Sequence, residues 1–292
     1  MSTAYLESSD GRTIAYEQIG DPAGTPVFLL HGTPGSRLSG QHPHPERVTD
    51  AGLRVITYDR PGYGRSTRQP GRSVVDCVGD VAAIADELDI ERFAVTGGSG
   101  GGPHALAVAA RLPERITRAE SNVGGAPYEA PGLDWFDGMD PTNVKEFGWA
   151  LEGEQTLAPE LEREAQRALE RFEQDPTGLL SDFDLSASDR AVLEREDVRQ
   201  QLQKSFREAL AQGAWGWVDD DLAFVKPWGF EVTEIRVPVQ IRYGATDVLV
   251  PAAHGAWLAA HVPNAVVDVD EGGGHLSTPD DHLERIRGLV AA

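Results

Sequence analysis

Residues Gly97-Gly98-Ser99-Gly100-Gly101 follow directly on the apolar run Phe93-Ala94-Val95-Thr96, and no other stretch restricts the fold as much. A serine set among glycines between a strand and a helix sits in a very tight turn. Only very small residues fit two places either side of it. Such a turn strains the serine backbone and presents its hydroxyl. The helix expected next, over 100–111, aims its N-terminus at the same point, where unpaired N–H groups favour an oxyanion. The chain has 32 glycines in 292 residues, so the motif alone also fits a glycine-rich turn with no chemistry. The choice depends on the surroundings.

Those surroundings alternate in period. Ala4-Tyr5-Leu6 and 13–16 flank Asp10-Gly11 as a hairpin. Apolar runs at 27–30, 53–58, 93–96, 116–121, 237–243 and 265–269 read as strands, and 74–88 reads as an amphipathic helix. This pattern predicts a mostly parallel sheet covered on both faces. The alternation stops between Pro127 and Trp228, where no convincing strand occurs. Asp140-Pro141 reads as a helix start, and 157–172 and 190–211 read as charged amphipathic helices separated by Asp175-Pro176-Thr177-Gly178. We expect a helical cap over 127–228 on a core made of 1–126 and 229–292, placed at the carboxyl edge of the sheet. Trp135, Phe136, Phe147, Trp149, Trp215, Trp217, Phe224, Trp228 and Phe230 lie in or beside this block. They are expected mainly to pack it onto the body, with some lining a cavity.

The net charge of −21 argues against nucleic acid or an anionic membrane as partner. No apolar run is long enough to span a bilayer, and Met1–Asp10 has no signal-peptide character, so a cytoplasmic location is expected. Cys77 is the one cysteine, which excludes an intrachain disulfide and a cysteine metal site; its apolar neighbours suggest a buried, inert thiol.

A serine hydroxyl needs a base to take its proton and an acid to orient that base. Asp247 and His275 both follow strands, on the same edge as Ser99. Asp268 and Asp270 are rival acids near His275. His42 and His44 resemble a metal pair but read as a solvated loop between prolines; His254, His261 and His282 fall on expected surface helices, while His104 could face the underside of the site. An oxyanion needs two N–H donors. Gly100 supplies one. The other is expected from His31-Gly32-Thr33-Pro34-Gly35-Ser36 after the third strand, and Pro34 has no N–H, which leaves Thr33. His31 itself reads as structural.

Taken together, His31–Ser36, Tyr58-Asp59-Arg60-Pro61-Gly62-Tyr63-Gly64-Arg65-Ser66, the serine turn, Gly244 with Asp247, and Gly274-His275 resemble the α/β-hydrolase superfamily, in its capped esterase-like branch. The resemblance implies an eight-stranded sheet, a cap inserted after the sixth strand, and the chain order serine, acid, histidine. Ser99 argues against the dehalogenases and most epoxide hydrolases of this fold, which carry aspartate there. Gly100 departs from the tryptophan usual in proline iminopeptidases and from the methionine usual in cofactor-free haloperoxidases and C–C hydrolases. Gly100-Gly101-Gly102 would either leave room beside the nucleophile or reflect tight helix–strand packing.

The expected activity is cleavage of a carboxylic ester through an acyl-enzyme. Ser99 is nucleophile, His275 base, Asp247 its orienting acid, and the Thr33 and Gly100 N–H groups hold the oxyanion, with no metal or organic cofactor. The expected partner is a small-molecule ester or related acyl substrate. A lactonase or C–C bond hydrolase on the same triad is the alternative within enzymes. A non-catalytic ligand-binding protein is the alternative outside them.

Overall fold

Each apolar run of the sequence becomes a strand of one sheet in the computed structural model, which describes residues 2–172, 180 and 182–291. β1 (Ala4–Glu7) and β2 (Thr13–Gly20) form the hairpin, with Gly11 at positive φ. β3 (Thr25–Leu30), helix α1 (Pro45–Asp50), β4 (Leu53–Tyr58), α2 (Cys77–Glu87), β5 (Phe93–Gly98), α3 (Gly101–Arg111) and β6 (Ile116–Asn122) then alternate. After the helical segment come β7 (Val239–Gly244), a helix over Ala252–His261, β8 (Ala265–Asp270) and a last helix, Pro279–Ala291. The strand order is β1-β2-β4-β3-β5-β6-β7-β8. Only β1–β2 and β2–β4 pair antiparallel; every other pair is parallel. This is the eight-stranded, mostly parallel sheet expected from the sequence.

Both faces are covered, so the central strands are buried along most of their length, and β3 is apolar from Val27 to Leu30. One core joins Phe28, Ile56, Phe93 and Val95 to α2 and α3; the other joins Val27, Leu29 and Val55 to Val48 of α1 and Leu283, Ile286 and Leu289 of the last helix. The helix expected over 74–88 opens as a 3₁₀ turn at Val74–Asp76, because the Asp76 carboxylate accepts the Ser73 N–H and closes a capping box before α2 begins. Cys77 is buried, donates weakly to the His104 carbonyl at 3.6 Å, and its thiol is pushed up by burial, as an inert thiol should be.

Among the described residues five α-helices lie between β6 and β7: α4 (Pro141–Glu152), α5 (Glu154–Arg171), α6 (Ala187–Leu193), α7 (Glu196–Ala209) and α8 (Trp215–Phe224). Asp140 caps α4 by accepting the Thr142 N–H at 2.7 Å, with Pro141 in the first turn. The expected helix over 190–211 is two helices. Arg195 is extended between them, and the Arg199 guanidinium takes the Leu193 and Glu194 carbonyls at 3.0 and 2.7 Å, supplying the end of α6 with partners. The expected separator 175–178 lies outside the described residues. α8 was not anticipated. All its residues except Trp215 are buried, so it has no polar stripe and no helical periodicity to read. The insert has its own core of Leu157, Leu161, Trp217, Val218 and Leu222, into which Tyr63 of the body projects. Among the described residues no helix is long and apolar enough to cross a membrane. Ala252–His261 and Pro279–Ala291 are α9 and α10 below.

Candidate functional site

Ser99 has φ of +53°, the left-handed region that side chains avoid, at the junction of β5 and α3. Sterics explain its neighbours. A Cβ on Gly97 would lie 2.0 Å from the Gly101 carbonyl oxygen, and one on Gly101 would lie 2.2 Å from that of Leu30. Only glycine fits two residues either side of the serine. The Ser99 N–H donates to the Asn122 carbonyl at 2.9 Å, tying the turn to the end of β6. The positions that side chains on the glycine run would occupy are already filled: a Cβ on Gly100 would stand 2.2 Å from Thr33 Oγ1, and one on Gly102 2.6 Å from Ser121 Oγ. Tight packing is therefore the reason for the three glycines.

The structure brings the two candidate partners together. His275 Nδ1 donates to Asp247 Oδ2 at 2.8 Å, while Asp247 Oδ1 accepts the N–H groups of Leu249 and Val250, each at 2.9 Å. Asp247 is thus fixed by its own loop and orients the imidazole. Burial pushes the His275 pKa down, but the Asp247 charge and hydrogen bond outweigh it and hold the value above the ordinary one. Asp268 and Asp270 turn instead to Arg242, at 3.3 and 2.7 Å. The loop after β3 closes on the serine, since a Cβ on Gly32 would be 3.3 Å from Ser99 Cβ. Gly32, Thr33, Ser99, Gly100 and His275 all line one cavity of about 320 Å³ between body and insert. Trp135, Phe147, Trp217, Phe224 and Trp228 of the aromatic block line it too, whereas Trp149, Trp215 and Phe230 do not.

The other histidines divide differently from expectation. His31 is structural as read, accepting the Arg60 N–H at Nε2 and kept neutral by burial and by Arg60. His104 does sit under the site, with Nδ1 donating to the Gly100 carbonyl at 2.7 Å; burial, then Arg60, pull its pKa down to about 3. His261 is exposed and stacked on Trp257. His254 is not on the surface. It is 1 % exposed, accepts the Ala126 N–H at 3.1 Å and donates to the Trp135 carbonyl at 2.9 Å, because the loop after β6 needs partners for its backbone. His282 is half-buried and lines the cavity. His42 is buried rather than solvated, while His44 is exposed: the His42 Nδ1 accepts the His44 N–H at 3.0 Å and its Nε2 lies 3.1 Å from Asp280 Oδ1, so both ring nitrogens are engaged within the protein.

Several cavity and support residues escaped the sequence reading. Val123, a β-branched residue at φ +48°, lines the cavity beside Asn122. Asp219-Asp220-Asp221, three charges in a row that the sequence reading did not single out, are all buried. Successive residues of a helix point about 100° apart, and each aspartate meets a different group. Asp219 takes Arg68 at 2.8 Å, Asp220 takes Arg60 and Arg72 at 2.5 and 2.7 Å, and Asp221 faces Glu146. Among the described residues no N–H donor reaches either oxygen of Asp221, and its buried neighbour is the Glu146 carboxyl, which accepts the Trp217 N–H at 2.8 Å. Two buried carboxyls side by side disfavour a second negative charge and so favour the protonated form of one of them.

Burial raises the Glu146 pKa to about 7, against the relief given by the Asp221 and Trp217 hydrogen bonds, and burial, with Glu146 beside it, holds Asp221 well above the ordinary aspartate value. From the ordinary glutamate value of 4.5 up to about 7, the folded chain therefore holds more protons here than the unfolded chain. Stability from this pair is present at low pH and is lost as pH rises through that window. Glu146→Gln is expected to flatten that part of a melting-temperature series between pH 5 and 8. An unchanged slope in the variant would remove Glu146 from the explanation.

A family model for the alpha/beta hydrolase fold matches residues 25–281. The chain is 32% identical over 166 residues to a proline iminopeptidase of Arabidopsis thaliana, which covers 56% of this chain and 42% of that protein. It is 28% identical over 262 residues to a 2-hydroxy-6-oxononadienedioate/2-hydroxy-6-oxononatrienedioate hydrolase of Cupriavidus pinatubonensis, covering 85% of this chain and 80% of that one. Among solved structures, a hydrolase from Pseudomonas aeruginosa superposes with a TM-score of 0.71 at 21% identity, covering 100% of this chain and 99% of that one.

Proposed function

The chain belongs to the alpha/beta hydrolase family, and from that premise we propose that it is a serine hydrolase cleaving a carboxylic ester through an acyl-enzyme. The observation that carries this reading is the strained Ser99 in one apolar-walled cavity with a His275 already bonded to Asp247.

The steps follow from the geometry. With Nδ1 donating to Asp247, the His275 Nε2 lone pair is free to take the Ser99 proton. Ser99 Oγ attacks the ester carbonyl, and the oxygen that becomes negative is held by the N–H groups of Gly100 and Thr33. Imidazolium, stabilised by Asp247, returns its proton to the leaving alcohol. Water deprotonated by His275 then releases the acid and restores Ser99. The insert closes the cavity from above, so its side chains choose the acyl group.

The Cupriavidus relative favours one further reading on the same residues, cleavage of a C–C bond next to a carbonyl; a lactone is a cyclic ester and needs no change of machinery. A non-catalytic ligand binder would have no use for Asp247 and His275 in register. The test is intact mass after exposure to a fluorophosphonate, with Ser99→Ala as control, beside 4-nitrophenyl esters of short and medium chains, lactones, a vinylogous diketone and aminoacyl amides. One adduct, absent in the variant, together with ester turnover is the expected result. Labelling with turnover only of diketone or amide would replace the ester reading, and no labelling of folded protein would leave ligand binding in its place.

A further inference from the structure

The insert sends one carboxylate into the loop beside the nucleophile. Asp220, fully buried on α8, accepts at Oδ2 from the Thr33 hydroxyl (2.6 Å), Arg60 Nη2 (2.5 Å) and Tyr63 OH (2.9 Å). Its Oδ1 faces Arg72 Nη1 at 2.7 Å and Arg60 Nε at 3.3 Å. Arg60 also donates to the carbonyls of His31 and Gly32, the latter at 3.0 Å, and to Thr33 Oγ1 at 3.0 Å. The Thr33 hydroxyl therefore accepts from Arg60 and gives its own proton to Asp220.

This matters because the Gly32 carbonyl and the Thr33 N–H belong to one peptide unit, and that unit is trans. In a planar trans peptide the two point in opposite directions. Turning the Gly32 oxygen toward Arg60 turns the Thr33 N–H away from it. The loop is rich in glycine and proline and lies outside regular structure, so side chains must fix its direction. An oxyanion donor is effective only when held about 2.7–3.1 Å from where the charge develops.

We propose that Asp220, carried by the insert, is a positioning residue for the oxyanion hole, holding the Thr33 hydroxyl and Arg60 so that the Thr33 N–H is aimed at the reacting oxygen. The inference rests on the serine-hydrolase reading. It makes the insert part of the rate-determining geometry as well as a wall of the cavity. Asp220 acts through Thr33 and Arg60 and touches no substrate.

The test measures fluorophosphonate labelling rate, kcat and KM on a turned-over substrate, and melting temperature. Thr33→Val removes the hydroxyl and keeps the N–H; Thr33→Ser keeps both. Asp220→Asn weakens the anchor. Tyr63→Phe removes one donor to Asp220 and keeps the ring that packs edge-on against His31 of the loop. Thr33→Val and Asp220→Asn are expected to lower kcat and labelling rate about tenfold or more with KM within about threefold, the pattern of a transition-state interaction. Thr33→Ser should recover most of the loss, and Tyr63→Phe should stay close to wild type in rate. Variants that lose melting temperature but keep kcat, or a Thr33→Ser chain no better than Thr33→Val, would overturn the positioning role. If Asp220→Asn does not fold, the threonine pair decides. Wild type that resists the probe overturns the hydrolase reading and this inference with it; wild type that is labelled but inert to esters overturns only the choice of ester.

Discussion

Ser99→Ala is expected to reduce turnover by a factor on the order of 10⁴–10⁶ while leaving the fold intact. The serine contributes its Oγ to the cavity and its backbone to the turn, and alanine changes only the first. Alanine meets the same strain at φ +53° as serine, so its melting temperature should differ little. Ser99→Gly separates the two roles more sharply. Glycine adopts positive φ without a Cβ penalty, which for other residues costs of order 1–3 kcal/mol. Ser99→Gly should therefore be inactive and yet melt a few degrees higher. Activity retained in either variant would exclude Ser99 as nucleophile. A glycine variant that melts lower would show that the strain is not stored where the backbone places it.

The second large effect concerns Asp247. Asp247→Asn is expected to cost about 10⁴-fold in kcat, through the wrong imidazole tautomer. The bonds specify how. Oδ1 is held by the Leu249 and Val250 N–H groups, so an asparagine keeps its oxygen there and turns its NH₂ toward His275 Nδ1. That nitrogen must then accept, the ring proton moves to Nε2, and the base faces Ser99 with no lone pair. The pH profile carries an independent sign. His275 works only when neutral, and Asp247 holds its pKa above the ordinary 6.5 despite burial. The wild-type rate should climb with pH through a limb above 6.5. With the Asp247 charge removed, burial is opposed only by the weaker pull of the Asp189 charge, and the residual activity of the variant should have its limb shifted to lower pH. A limb in the same place would mean that another group titrates.

The sheet and the three candidate chemical residues were legible because each is tied to a short-range signal. Ser99 is flanked by glycines that the turn requires, and Asp247 and His275 each follow an apolar run that could only be a buried strand. Thr33 was found by elimination against Pro34, which has no N–H. What stayed hidden depends on contacts across long sequence separations. Asp219, Asp220 and Asp221 look solvated until Arg68, Arg60, Arg72 and Glu146 are brought against them from elsewhere. His254 falls on an ordinary helical pattern, and nothing local states that the Ala126 and Trp135 backbone will need its ring. α8 lacks periodicity because it is surrounded by protein.

That surrounded helix also sets a limit on recombination. Inserts of this kind invite transplantation, since they begin and end at neighbouring strands β6 and β7. Here a graft would carry away the counter-charge of two buried arginines that remain in the body, Arg60 and Arg72. An uncompensated buried pair of that kind costs several kcal/mol, roughly 3–5 when one partner of a buried ion pair is removed. Chimaeras that exchange only 127–228 should be poorly folded, whereas those that move Arg60, Tyr63 and Arg72 along with α8 should recover. The unit of inheritance in this molecule is the insert plus the stretch from Arg60 to Arg72, two pieces far apart in the chain that can change only together.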